Sequence, residues 1–97
     1  MTERRVRFTE DFFDLLERLL PAERGEDGTP SVTDFLAFEV PPLRDLFAVD
    51  VVRVTLETSI PGIRAYIGAG LLVPALLIHV AVDDHDVEAF HLSFGWQ

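Results

Sequence analysis

Glu57, Arg64, Tyr66, His79 and His91 are the side chains of this sequence whose types and spacing can support chemistry. An imidazole beside a carboxylate and a guanidinium makes a general acid–base set, with the arginine holding a phosphate or an oxyanion. His79 and His91 together with Glu57 would instead make a three-ligand metal site. A plainer reading stands beside both, in which these are ordinary residues on the half-solvated face of an antiparallel sheet. Whether any of this chemistry is available depends on the backbone bringing the residues to one face.

The strands that would do so are written in the alternation of the second half. "VVRVTLETS" (51–59), "IRAYI" (63–67), "LLVPALLIHVAV" (71–82) and "VEAFHLSF" (87–94) read as four antiparallel strands separated by turn residues. Pairing across Pro61-Gly62 puts Arg53, Thr55 and Glu57 on the face of Arg64 and Tyr66. Pairing Asp83 with Val87 sets Leu76, Ile78 and Val80 opposite Phe94, Leu92 and Phe90, a register that burial selects because a one-residue slip mixes the two faces. The same register sets His79 opposite His91. One face is then expected to carry Arg53, Glu57, Arg64, Tyr66, His79, His91 and Ser93.

The uncharged run between Arg64 and Asp83 is long enough to raise a membrane helix as the alternative. Gly68, Gly70 and Pro74 interrupt it, at about 1 kcal/mol per glycine and about 3 for proline in a helix interior. The acidic "DDHD" (83–86) is also unlike the basic or aromatic anchors of a membrane end. A strand pair with more strand than helix in the whole chain, and no membrane, is the expectation. "DDHD" lacks the glycine and distal glutamate of a calcium loop and reads as a solvated hairpin tip.

Upstream, "RRVRF" (4–8) reads as a short strand. Thr9 is a plausible N-cap, with Glu10 and Asp11 in the first turn and Phe12, Phe13, Leu16, Leu19 and Leu20 forming an amphipathic stripe that Pro21 ends. "PAERGEDGTPS" (21–31) is a polar loop expected to be mobile. Ser31 with Asp34 can form a capping box for a short helix over "VTDFLAFE" (32–39), which a strand would also fit. Val40 precedes Pro41 and should leave the helical region, after which Pro42 starts another short helix. The predicted class is α+β over one domain, 1–97: a short N-terminal strand, one amphipathic helix plus short helical segments, and a four-stranded antiparallel meander.

Composition narrows the functions. Seventeen acids oppose eight bases, all arginine, for a net charge of −9. That balance repels polyanions and argues against nucleic acid as a partner. There is no cysteine, hence neither a disulfide nor a thiolate zinc site, and neither a cofactor nor tight zinc binding at His79 and His91 is expected. Charged residues interrupt the apolar positions near the N-terminus, so a cytoplasmic location is expected rather than a secretory one.

The order strand, helices, meander, with "ALLIHVAVDDHDVEAFHLSFGW" as a closing hairpin, resembles the RelE/ParE toxin superfamily. The resemblance implies a ribonuclease or gyrase-directed toxin acting from the sheet face, with Glu57, Arg64, Tyr66 and His91 at the positions that can match. The residues themselves point first to a non-catalytic binding or assembly module. Phe90, Leu92, Phe94 and Trp96 crowd the C-terminus, and short helices cannot cover both sheet faces. Such a surface is expected to meet a protein partner or a second copy of the chain.

Overall fold

The structure, a computed structural model, describes residues 3–95. It is an α+β fold of three helices and one five-stranded mixed sheet. The first strand is β1 (Arg5–Phe8) and the first helix α1 (Glu10–Leu19). Helices α2 (Val32–Phe38) and α3 (Val40–Val54) follow, then β2 (Thr55–Glu57), β3 (Ile63–Gly68), β4 (Leu76–Val82) and β5 (Asp86–Phe94). The sheet order is β1-β5-β4-β3-β2, with β1 parallel to β5 and the other neighbours antiparallel. The expected meander is therefore present in outline, extended by a parallel first strand. The three helices hold slightly more residues than the five strands, contrary to expectation.

Helix α1 starts where its sequence says it should: the Thr9 hydroxyl accepts from the Phe12 N–H at 3.3 Å, and Glu10 and Asp11 occupy the positive end of the dipole. Ser31 and Asp34 form the reciprocal capping box at α2, each side chain accepting from the other's backbone N–H at 3.0 Å. Arg24 reaches Asp34 from the 21–31 loop through two bonds of 2.7 and 3.0 Å.

Helix α3 departs from expectation at both ends. Val40 is its first residue, so Pro41 and Pro42 sit in the opening turn, where no intrahelical N–H is needed. Its end lies at Val54, beyond a kink at Asp50, so 51–54 is helix rather than strand. Leu43, Phe47 and Val51 are buried at four-residue spacing, and that stripe outweighs the alternation of Val52, Val54 and Leu56. Strand β4 likewise begins only at Leu76, because 69–75 folds over Glu39.

All three helices feed one core with the sheet. Phe12, Leu16, Phe35, Phe47 and Val51 pack with Leu76, Ile78, Val80, Val87, Ala89, Leu92 and Phe94. Along β4 the buried residues alternate without a break, but along β5 they skip from Ala89 to Leu92. A β-bulge between these pairs corrects the phase: Ile78 pairs with Leu92 and His79 with His91, while Val80 pairs with Ala89. Phe90, expected opposite Val80 in the core, is the extra residue and is only half-buried. The reason is next door on β1, where Phe8 pairs with Ala89 and stacks edge-on against Phe12 at 5.0 Å. A small side chain beside Phe8 suits a site that large ring already fills.

The buried Glu39 carboxylate holds the β3–β4 connection, accepting from the N–H of Leu71 at 2.6 Å and of Val73 at 3.4 Å. A β-carbon on Gly70 would fall inside that carboxylate. Gly62, with φ at 81° in the turn after β2, is also required to be glycine. Two predictions follow from these contacts. Gly70→Ala should lower stability by about 2 kcal/mol, measured by urea unfolding, since displacing Glu39 strands buried polar groups.

The second concerns acid. Arg24 foremost, and the Ser31 N–H, hold the Asp34 carboxyl well below the usual carboxylate range. The backbone N–H groups of His85 and Asp86 lower that of Asp83 at the β4–β5 turn. Carboxyls lowered on folding stabilise the protein above the unfolded value of about 3.9, and that contribution is lost as pH falls through the folded values. The urea midpoint should fall as pH drops below about 4, and Asp34→Asn should flatten the fall.

Candidate functional site

The sheet divides the expected site between its two faces. Strand β2 meets β3 as anticipated, Thr55 opposite Tyr66 and Glu57 opposite Arg64. Strand β3 then meets β4 with Arg64 opposite Val80 and Tyr66 opposite Ile78, residues of the helix-covered face. His79 and His91 face the other way. Glu57, Arg64 and Tyr66 thus stand on one side and His91 on the opposite one, and no three-ligand metal site of Glu57 with both histidines exists. Arg53 leaves the set altogether, being in α3, where it pairs with Asp50 at 3.0 Å.

On the covered side the polar groups are engaged structurally. The Arg64 guanidinium donates to the Val52 carbonyl at 3.0 Å, the Thr55 carbonyl at 2.9 Å and the Thr55 hydroxyl at 2.7 Å. It thereby caps the C-terminal end of α3, where unpaired carbonyls and the dipole favour a cation. Its 3.7 Å approach to Glu57 is peripheral, since the Glu57 side chain is 88% exposed. Tyr66 packs edge-on against Phe47 with ring centres 5.4 Å apart. A cleft of about 510 Å³ lies beside them, lined by Arg4, Arg64, Glu57, Asp83 and the 58–62 turn. Both of its guanidinium groups are already committed, Arg4 donating to the Asp83 carbonyl at 2.8 Å.

The open face is built in rows across the strands. His91, His79, Ala65 and Leu56 form one row, Ser93, Leu77 and Ile67 the next, and Arg7, Glu88, Ala81 and Ile63 the row on the other side. Arg5 and Asp86 close that end with an ion pair at 3.0 Å, and Arg7 pairs with Glu88. The bulge turns Phe90 toward this face as well, so His79 has two ring neighbours: His91 at 5.3 Å and Phe90 at 6.4 Å between centres. His79 does stand opposite His91, but not through the expected turn: Val82, rather than Asp83, pairs with Val87, and the bulge restores the expected register beyond Val80. The direction of β3 was not legible in the sequence, because nothing local reveals that Arg64 and Tyr66 point inward.

The expected interface also needs correction. Leu92 and Phe94 are core residues, 1% and 3% exposed, because the one-sided burial of β5 draws both inward. Phe90 alone of the described members lies toward solvent, and Trp96 falls outside the described residues. Among the described residues no group of three or more His, Asp or Glu gathers to hold a metal ion, and no helix is long and apolar enough to cross a membrane.

Comparison with protein-family models, curated proteins and solved structures finds no match, leaving the RelE/ParE resemblance without a relative to rest on. Arg64→Ala should cost about 2–3 kcal/mol in urea unfolding, the scale of hydrogen bonds to a charged group. Arg64→Lys should recover only part of this, since an ammonium lacks the fork that spans three acceptors.

Proposed function

We propose that the open face of the sheet is a binding surface and that its occupant is a second copy of this chain. The observation that carries this reading is the orientation of β3. The strand turns the half-buried Arg64 and Tyr66 toward the helices and Ile63, Ala65 and Ile67 toward the open face, the reverse of what its alternation suggests. Ile67 is 65% exposed, and Leu56, opposite Ala65 on β2, is 62% exposed. With Ala65 and the half-buried Leu77 they make an apolar patch over β2 to β4, and Ala81 and Phe90 lie beyond His79. Contiguous apolar surface of this kind is characteristic of interaction sites.

The charge distribution supports a second copy as the partner. The chain carries −9, yet the open face balances Arg5 and Arg7 against Asp86 and Glu88. The acidic excess is therefore carried elsewhere, and two copies meeting through this face avoid most of their mutual repulsion. A toxin-like ribonuclease has a weaker footing, because Glu57, Arg64 and Tyr66 would have to act with His91 through the thickness of the sheet.

Sedimentation velocity from low to high micromolar concentration tests the proposal. A monomer–dimer equilibrium is expected in the wild type. Ile67→Glu combined with Leu56→Glu should weaken the dimer by roughly tenfold or more, while changing stability by no more than about 0.5 kcal/mol, as for other exposed positions. A wild type that stays monomeric throughout, or a dimer indifferent to both substitutions, would remove the reading.

A further inference from the structure

We infer that His79 and His91 form a two-imidazole chelate for a divalent first-row transition ion, and that pairing of two open faces completes a four-imidazole shell around it. The second half of this rests on the self-association proposed above. The first half rests on the cross-strand geometry alone. The two residues are direct partners on adjacent antiparallel strands, their rings are 5.3 Å apart at the centres, and both are part-exposed on the open face. Zinc–imidazole bonds are about 2.0–2.1 Å, so two ligating nitrogens lie about 3 Å apart. Small rotations about the side-chain bonds bring rings at this separation to that spacing. Imidazole suits zinc, copper and nickel alike, and the two ligands of one chain leave the remaining positions to water or to another donor.

The position of the pair supplies the other donors. Strand β4 is the middle strand of the five, and His79 is the middle residue of β4. In a two-fold pairing, a residue meets its own copy only near the axis. An axis lying across the strands at the His79–His91 row sets the apolar half of one sheet on the apolar half of the other. It also brings the two histidine pairs together at the centre. Face-packed sheets lie about 10 Å apart, within reach of opposed imidazoles sharing an ion. The bulge sets the Phe90 ring beside the pair, its centre 6.4 Å from that of His79.

Zinc titration of tag-free protein, followed by calorimetry and by sedimentation, tests the inference. One ion per two chains is expected, with the dimer dissociation constant falling roughly tenfold or more. His79→Ala and His91→Ala should each abolish the zinc effect. His85→Ala, at the exposed β4–β5 turn, should leave it intact. A zinc effect that survives both His79→Ala and His91→Ala, or depends on His85, would overturn the site. A wild type that dimerises without metal and ignores zinc would overturn the chelate while sparing self-association. A wild type that stays monomeric with zinc bound one per chain would overturn the shared shell and the self-association reading together.

Discussion

Ile78, Val80, Val87, Ala89, Leu92 and Phe94 must all face the same way for Phe12, Leu16, Phe35 and Phe47 to have a sheet to pack on. Full burial stabilises each large apolar side chain by about 1.5–3 kcal/mol, so this requirement overrides local irregularities. On β5 it demands inward residues at 87 and 89 and again at 92 and 94, a sequence of positions that no unbroken strand can satisfy. The bulge at Phe90 is the consequence. The same requirement commits all three helices to one side, and the described residues leave the other side of the sheet without cover.

Arg64 marks the second place where a local pattern yields. Taken alone, "IRAYI" has an apolar set, Ile63, Ala65 and Ile67, and a polar set, Arg64 and Tyr66. The strand nevertheless presents the polar set to the helices. What offsets this is the end of α3, whose carbonyls give the guanidinium three acceptors, together with the Phe47 ring that receives Tyr66. A charged side chain turned inward is tolerable when its hydrogen bonds are met there. The outcome is an apolar surface on the solvent side.

Much of the fold could be read from sequence because its signals are local. Thr9, the Ser31–Asp34 box and the Pro61-Gly62 turn each depend on neighbours a few residues away, whereas His79 meets His91 only because the bulge offsets a one-residue misreading of the β4–β5 turn. The errors fall where distant packing decides. Val52, Val54 and Leu56 alternate as a strand would, and the choice was made by Leu43 and Phe47 extending their buried helical stripe to Val51. The facing of β3 relative to β4 passes through the long 69–75 connection, which Glu39 fixes from another element. The candidate site failed at that point: its members are real surface and capping residues, but the sheet lies between them.

The edges of the sheet have a further consequence. Strand β1 offers four residues at one side and β2 only three at the other. Strands so short give an incoming chain few backbone groups to pair with, and edge addition is the route by which sheets grow without limit. The broad open face, in contrast, is used up when two copies cover each other. In the pairing proposed above, blunt edges and one covered face would give a closed particle of fixed size, with exposed isoleucine and leucine carried free of the open-ended growth that leads to fibres.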